Sequence, residues 1–102
     1  MRAAPHLVVV EDKVPQEITT TIKRMFIQSY QIATINKSKL SAHSYFVKML
    51  EVFCENKGFD FRTWNLSMYR LFSLKSQFPG EAVEHIVRHV LNRDKEVLKI
   101  AG

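Results

Sequence analysis

Cysteine, glycine and proline are all scarce: one, three and three in a chain of 102 residues. One cysteine closes no internal disulfide, so a hydrophobic core must hold the fold, and a reducing compartment is expected. Cys54 sits inside an apolar segment and reads as a core thiol, not as a nucleophile. Three glycines supply no glycine-rich phosphate loop. The longest apolar run is the four residues at 7–10, far below the ~20 that span a bilayer. Glu11, Asp12 and Lys13 end the N-terminal apolar stretch too early for a signal peptide. The expected setting is cytoplasmic, with no membrane, metal or cofactor.

Acidic residues are missing from two long stretches. None occurs between positions 18 and 50, which hold Lys23, Arg24, Lys37, Lys39 and Lys48. None occurs between 61 and 80, which hold Arg62, Arg70 and Lys75. These stretches carry +8, and the rest of the chain, with seven bases and ten acids, carries −3 of the net +5. Segregation of this kind implies a basic surface and an anionic partner. A solvated polar face with a chance imbalance is the plain alternative.

What is present is ordinary globular material. Hydrophobic residues make up 46% and charged residues 25%, which fits one domain with one core. Residues 1–13 read as an extended arm, with the β-branched run Val8, Val9 and Val10. The arm packs on the body, exchanges a strand with a second subunit or stays loose, and packing on the body is the preferred expectation. Residues 14–102 read as a single helical domain.

The segment 42–57 is the expected centre of that domain. Tyr45, Phe46, Val47, Met49, Leu50, Val52, Phe53 and Cys54 leave only a narrow polar stripe of Ser44, Lys48, Glu51 and Glu55. A helix of this kind is expected to be covered on several sides. Gly58 follows it, where a left-handed cap favours glycine. A first helix is expected over about 15–36, with Pro15 in its first turn and an apolar stripe through Ile18, Ile22, Phe26, Tyr30 and Ala33. Its threonines lower helix propensity and predict a late start or a frayed end. Ser38 or Ser41 caps the second helix, and Asp60 caps a third over about 61–77. Trp64, Met68, Leu71 and Phe72 form the apolar side of that third helix, with Phe61, Tyr69 and Leu74 at its margins. A fourth helix is expected over about 81–99, with a seam of Val83, Val87, Val90 and Val97. The fold class is therefore all-α: a compact bundle or orthogonal array of about four helices with an N-terminal extended arm.

Specific chemistry finds little support. Cys54 and Gly58 have the spacing of a helix-turn-helix. Lys57 stands where that motif wants an apolar residue, and Ser67 falls at a buried position, so an ordinary helical corner is the better reading. A ribbon-type DNA binder needs polar base-reading residues on its strand, and the arm carries valines. His85 and His89 share a helix face, yet Arg88 beside them opposes a cation, and no His-Glu-x-x-His order is present. No nucleophile–base arrangement can be argued, so the protein is expected not to be an enzyme.

The functional expectation is a small regulatory or accessory protein that binds nucleic acid, DNA before RNA, as a homodimer. Thr20, Lys23, Arg24, Gln28 and Gln31 would form an acid-free outer face on the first helix. Lys37 and Lys39 would hold phosphate beside it, and Arg62, Arg70 and Lys75 would extend the contact. The alternative is a protein–protein adaptor or inhibitor. There, Tyr45, Trp64, Tyr69, Phe78 and the valine-rich arm exceed the needs of the core, and basic charge steers an acidic partner.

Overall fold

The computed structural model describes residues 14–36 and 40–100, and over that range the chain is all-α. Four helices follow in order: α1 Gln16–Ile35, α2 Ala42–Lys57, α3 Phe61–Gln77 and α4 Val83–Arg93. A short 3-10 turn at Lys95–Leu98 comes after them. The expected arm at 1–13 lies outside the described residues. Among the described residues no helix is long and apolar enough to cross a membrane.

Local chemistry explains where each helix begins and ends. α1 starts at Gln16, without the expected late start, and Pro15 occupies the cap position just before it. The threonines are accommodated by back-bonding, which satisfies a hydroxyl within its own helix. Thr19, fully buried, donates to the Pro15 carbonyl at 3.3 Å, and Thr21 donates to the Glu17 carbonyl at 2.9 Å. Ser41 caps α2 by accepting the Ser44 N–H at 3.2 Å. Gly58 ends α2 in the left-handed conformation at φ 77°, where a side chain would be strained. A Cβ there would also press on Ile100 Cγ2 at 3.4 Å. Asp60 caps α3, accepting the Thr63 N–H at 3.2 Å and its hydroxyl at 2.5 Å.

The helices pack as a ring in which each touches two others: α1 on α2, α2 on α3, α3 on α4, and α4 on α1. The core fills the middle. α4 contributes Ile86, Val87, Val90 and Leu91, and α1 contributes Ile18, Ile22, Met25 and Phe26. Leu50, Trp64, Met68 and Leu71 meet them from α2 and α3.

Two expectations are corrected. α2 is not enclosed: it buries Phe46, Leu50, Phe53 and Cys54, but Val52 is 57% exposed and Val47 and Met49 are half-buried. The ring is the reason, since only two neighbours cover α2. The fourth helix is also shorter than expected, ending at Arg93, where Asp94 leaves helical geometry at φ −108°, ψ 52°. The turn has a purpose in the core. The Asp94 carboxylate accepts from Ser67 Oγ at 2.8 Å and from Arg70 Nη1 at 2.6 Å. Past it, the Trp64 indole N–H donates to the Val97 carbonyl at 2.6 Å. Val97 closes the core from this turn instead of from a helical seam. Ser67, an apparent misfit in a buried position, is satisfied there by Asp94.

Two outcomes follow from these contacts. Trp64→Phe removes the indole donor, orphans the Val97 carbonyl and leaves a small void, so denaturant unfolding should show a loss of about 2 kcal/mol. The Thr63 hydroxyl and N–H, helped by Arg62, hold the Asp60 carboxyl below the ordinary carboxylate range. A lowered folded value gives stability that is present above the unfolded value, about 3.9, and is lost as pH falls through the folded one. Thermal unfolding against pH should therefore show an acid-side decline below about pH 4 that is shallower in Asp60→Asn, where a neutral cap remains.

Candidate interaction surface

The ring places α1 and α3 on opposite sides, with no backbone approach between them. Aromatic side chains bridge that gap. Phe72 of α3 meets Phe26 of α1 with ring centroids 4.6 Å apart, and Tyr30 at 5.9 Å. Phe46 of α2 lies against both Phe26 and Phe72. The rings seal the core but not the surface above it. There a cleft of about 570 Å³ opens between α1 and α3, lined chiefly by Phe26, Ile27, Tyr30, Phe72, Pro79 and Val83. Ile27 and Tyr30 are 38% and 45% exposed. Burial lifts the Tyr30 phenol above its ordinary value.

A second cleft, of about 600 Å³, shares Phe72 and Ser76 with the first and runs on to His43 and Tyr69. His43 packs edge-on against both Tyr69 and Phe72, at 5.5 and 5.0 Å. Tyr69 is 64% exposed, and Leu66, one turn before it, is 75% exposed. The result is a two-part groove with Phe72 as the ridge between an apolar half and a half lined also by His43, Ser73 and Gln77. No carboxylate occurs on α1 beyond Glu17 or anywhere on α3, so the two walls carry only positive charge.

The described residues expected to hold phosphate stand in different settings. Lys37 and Lys39 lie outside the described residues. Lys23 faces Glu84 of α4 at 3.5 Å, and the acid-free stretch of the sequence thus meets an acid in space. Arg70 is paired with Asp94 at the α4 terminus. Lys75 is folded into the connection after α3, donating to the carbonyls of Pro79 at 2.9 Å and Glu81 at 2.8 Å. Thr20 accepts from Gln16 at 3.0 Å. Arg24, Gln28 and Gln31 are exposed, and Gln31 lines the first cleft together with Lys75. Arg24 stands two helical turns before Gln31, on the same side of α1. Arg62 is exposed at the start of α3. Neither Arg24 nor Arg62 makes an ion pair among the described residues.

Of the aromatic residues expected to exceed the core, Tyr69 is on the surface, whereas Trp64 is fully buried. Tyr45 and Phe78 are half-buried, and the valine-rich arm lies outside the described residues. Ile27 and Leu66 were not singled out by pattern. Each lies on the flank of an amphipathic helix, where spacing does not separate a core edge from a surface edge.

No other chemistry collects around the groove. His85 lies 3.4 Å from Glu81, and no group of three metal-ligating side chains occurs among the described residues. Burial, and then the nearby Asp60 charge, push the Cys54 thiol up to about 12, which keeps it protonated and unreactive. No protein-family model matches the chain, and neither a curated protein nor a solved structure matches it.

The division of labour among the cations can be measured. Lys75→Ala frees two carbonyls and should cost about 1 kcal/mol in denaturant unfolding. Arg24→Ala touches nothing internal and should stay within about 0.5 kcal/mol of wild type.

Proposed function

We propose that this protein is a non-enzymatic interaction module that captures an acidic segment of a partner protein, seating an apolar side chain of that segment between α1 and α3. The observation that carries this reading is the composition of the cleft. Ile27, Tyr30, Phe72, Pro79 and Val83 line it with apolar surface, and beyond Glu17 neither helical wall carries a carboxylate. Aromatic side chains in a concave apolar site are common anchors of binding energy. Positive charge around such a site steers an acidic partner and speeds encounter more than it adds affinity. The internal pairing of Lys23, Arg70 and Lys75 weighs against a phosphate-tracking surface, since a polyanion is held by many uncompensated cations.

The test is fluorescence anisotropy with four labelled probes: an acidic peptide carrying leucine and tryptophan anchors, duplex DNA, single-stranded DNA and RNA. Each is titrated at about 50 and about 200 mM salt. The peptide should bind, with a shallow dependence on salt. Tyr30→Ala and Ile27→Glu should each weaken it by about tenfold or more, while Arg24→Glu should act mainly on the on-rate. Failure of the peptide to bind would overturn the proposal. So would tight binding of a nucleic acid that falls steeply with salt and is abolished by Lys23→Glu with Arg24→Glu, which would restore the phosphate-binding expectation.

A further inference from the structure

α2 turns a second, separate stripe to the outside. Lys48, Val52, Glu55 and Asn56 are exposed along it, and Met49 flanks it half-buried. Val52 is 57% exposed although it sits at the middle of a sixteen-residue helix. Lys48 and Glu55 make no ion pair among the described residues, while Lys57 on the same helix is paired with Glu17 at 2.9 Å. Beside the stripe lies a cleft of about 480 Å³ lined by Met25, Met49, Val52 and Phe53.

The order of charges along this stripe is complementary to itself. Lys48 and Glu55 lie on one side of Val52, one turn before it and one turn after it. When two such helices run antiparallel, a residue a given distance before the midpoint faces one the same distance after it. A midpoint between Glu51 and Val52 brings Lys48 of each copy opposite Glu55 of the other, twice by symmetry. It also brings the two Val52 side chains to the axis, about 1.5 Å apart along the helices, and places the copy's Met49 over the cleft, a gap that a flexible thioether fills well. Glu51 falls at the rim, where water solvates it. We infer that the outer face of α2 is a self-association surface, on which two copies of the chain pair α2 against α2 in antiparallel about a two-fold axis beside Val52. The contact is isologous, as two-fold interfaces are. It uses none of the residues that line the α1–α3 groove, so either can fail without the other.

The interface is small. α2 is about 24 Å long, and one helical face with the flank of α1 makes a small contact, so weak association is expected. Sedimentation equilibrium from about 10 to about 500 µM should show a reversible monomer–dimer equilibrium. Val52→Asp, Lys48→Glu and Glu55→Lys should each raise the dissociation constant by about tenfold or more. The double variant Lys48→Glu/Glu55→Lys restores the pairing with signs exchanged and should return to within about threefold of wild type. All these positions are exposed, and circular dichroism checks that each variant keeps its helices. A protein that is monomeric across the whole range overturns the proposal. So do single reversals that leave the dissociation constant unchanged, or a double variant that fails to recover.

Discussion

The indole of Trp64 ties the α2–α3 corner to the 3-10 turn that follows α4. It has no exposed surface, stacks on Phe59 with centroids 5.1 Å apart and meets Phe53 edge-on at 5.3 Å. Its N–H reaches the carbonyl of Val97, thirty-three residues later. A buried indole must find an acceptor or bear the cost of an unmade hydrogen bond, and the acceptor comes from a segment that has to leave helical geometry to provide it. The end of α4 at Asp94, the 3-10 turn and the bridge between Phe59 and Ile100 all serve that return. Asp94 makes it possible by accepting from Ser67 and Arg70 on α3, which compensates the helical bonds given up at the turn.

A ring of four helices has an inherent gap across its diagonal. On one diagonal, Phe26, Phe46 and Phe72 fill the gap with rings, which reach farther than aliphatic side chains of similar flexibility. Rings that reach across a diagonal also leave unequal shoulders above them. The α1–α3 cleft lies on such a shoulder, and the exposed side of Tyr30 is a consequence of how far its ring extends to touch Phe26 and Phe72. The groove and the core are therefore built from the same residues. Changing Phe72 would alter both, whereas Ile27 and Tyr69 report on the surface alone.

Much of the fold is legible in the residues. Ser41, Gly58 and Asp60 mark helix boundaries by local chemistry, which depends on a few neighbouring atoms and needs no tertiary information. Periodicity finds the buried face of α3 and the first part of that of α1 for the same reason, but Tyr30, on the expected α1 stripe, is 45% exposed. It fails at α2, whose apolar residues run nearly all round the helix, because a composition count does not say how many neighbours a helix has. It fails again at α4, where valines continue in helical register through Val97 while the chain turns at Asp94. The bond that ends the helix joins residues 24 and more positions apart, and no local window contains it.

Charge shows the same limit more sharply. A stretch of 33 residues without an acid, from 18 to 50, is a fact about order along the chain. Whether it becomes a field in space depends on what the fold lays beside it. Here α4 brings Glu84 to Lys23, and Asp94 comes to Arg70. Each contact is a surface ion pair of small energetic worth, yet each removes a cation from what a polyanion would encounter. The Lys75 ammonium is spent on two carbonyls of the α3–α4 connection. Among the described residues Arg24, Lys48 and Arg62 keep unpaired charge, and Arg24 shares a side of α1 with Gln31, which lines the α1–α3 cleft. Sparse charge beside a concave apolar site discriminates among acidic partners by their side chains. A dense basic stripe would bind them by charge alone. That contrast is the reason we propose a protein segment, and not a phosphate backbone, as the partner.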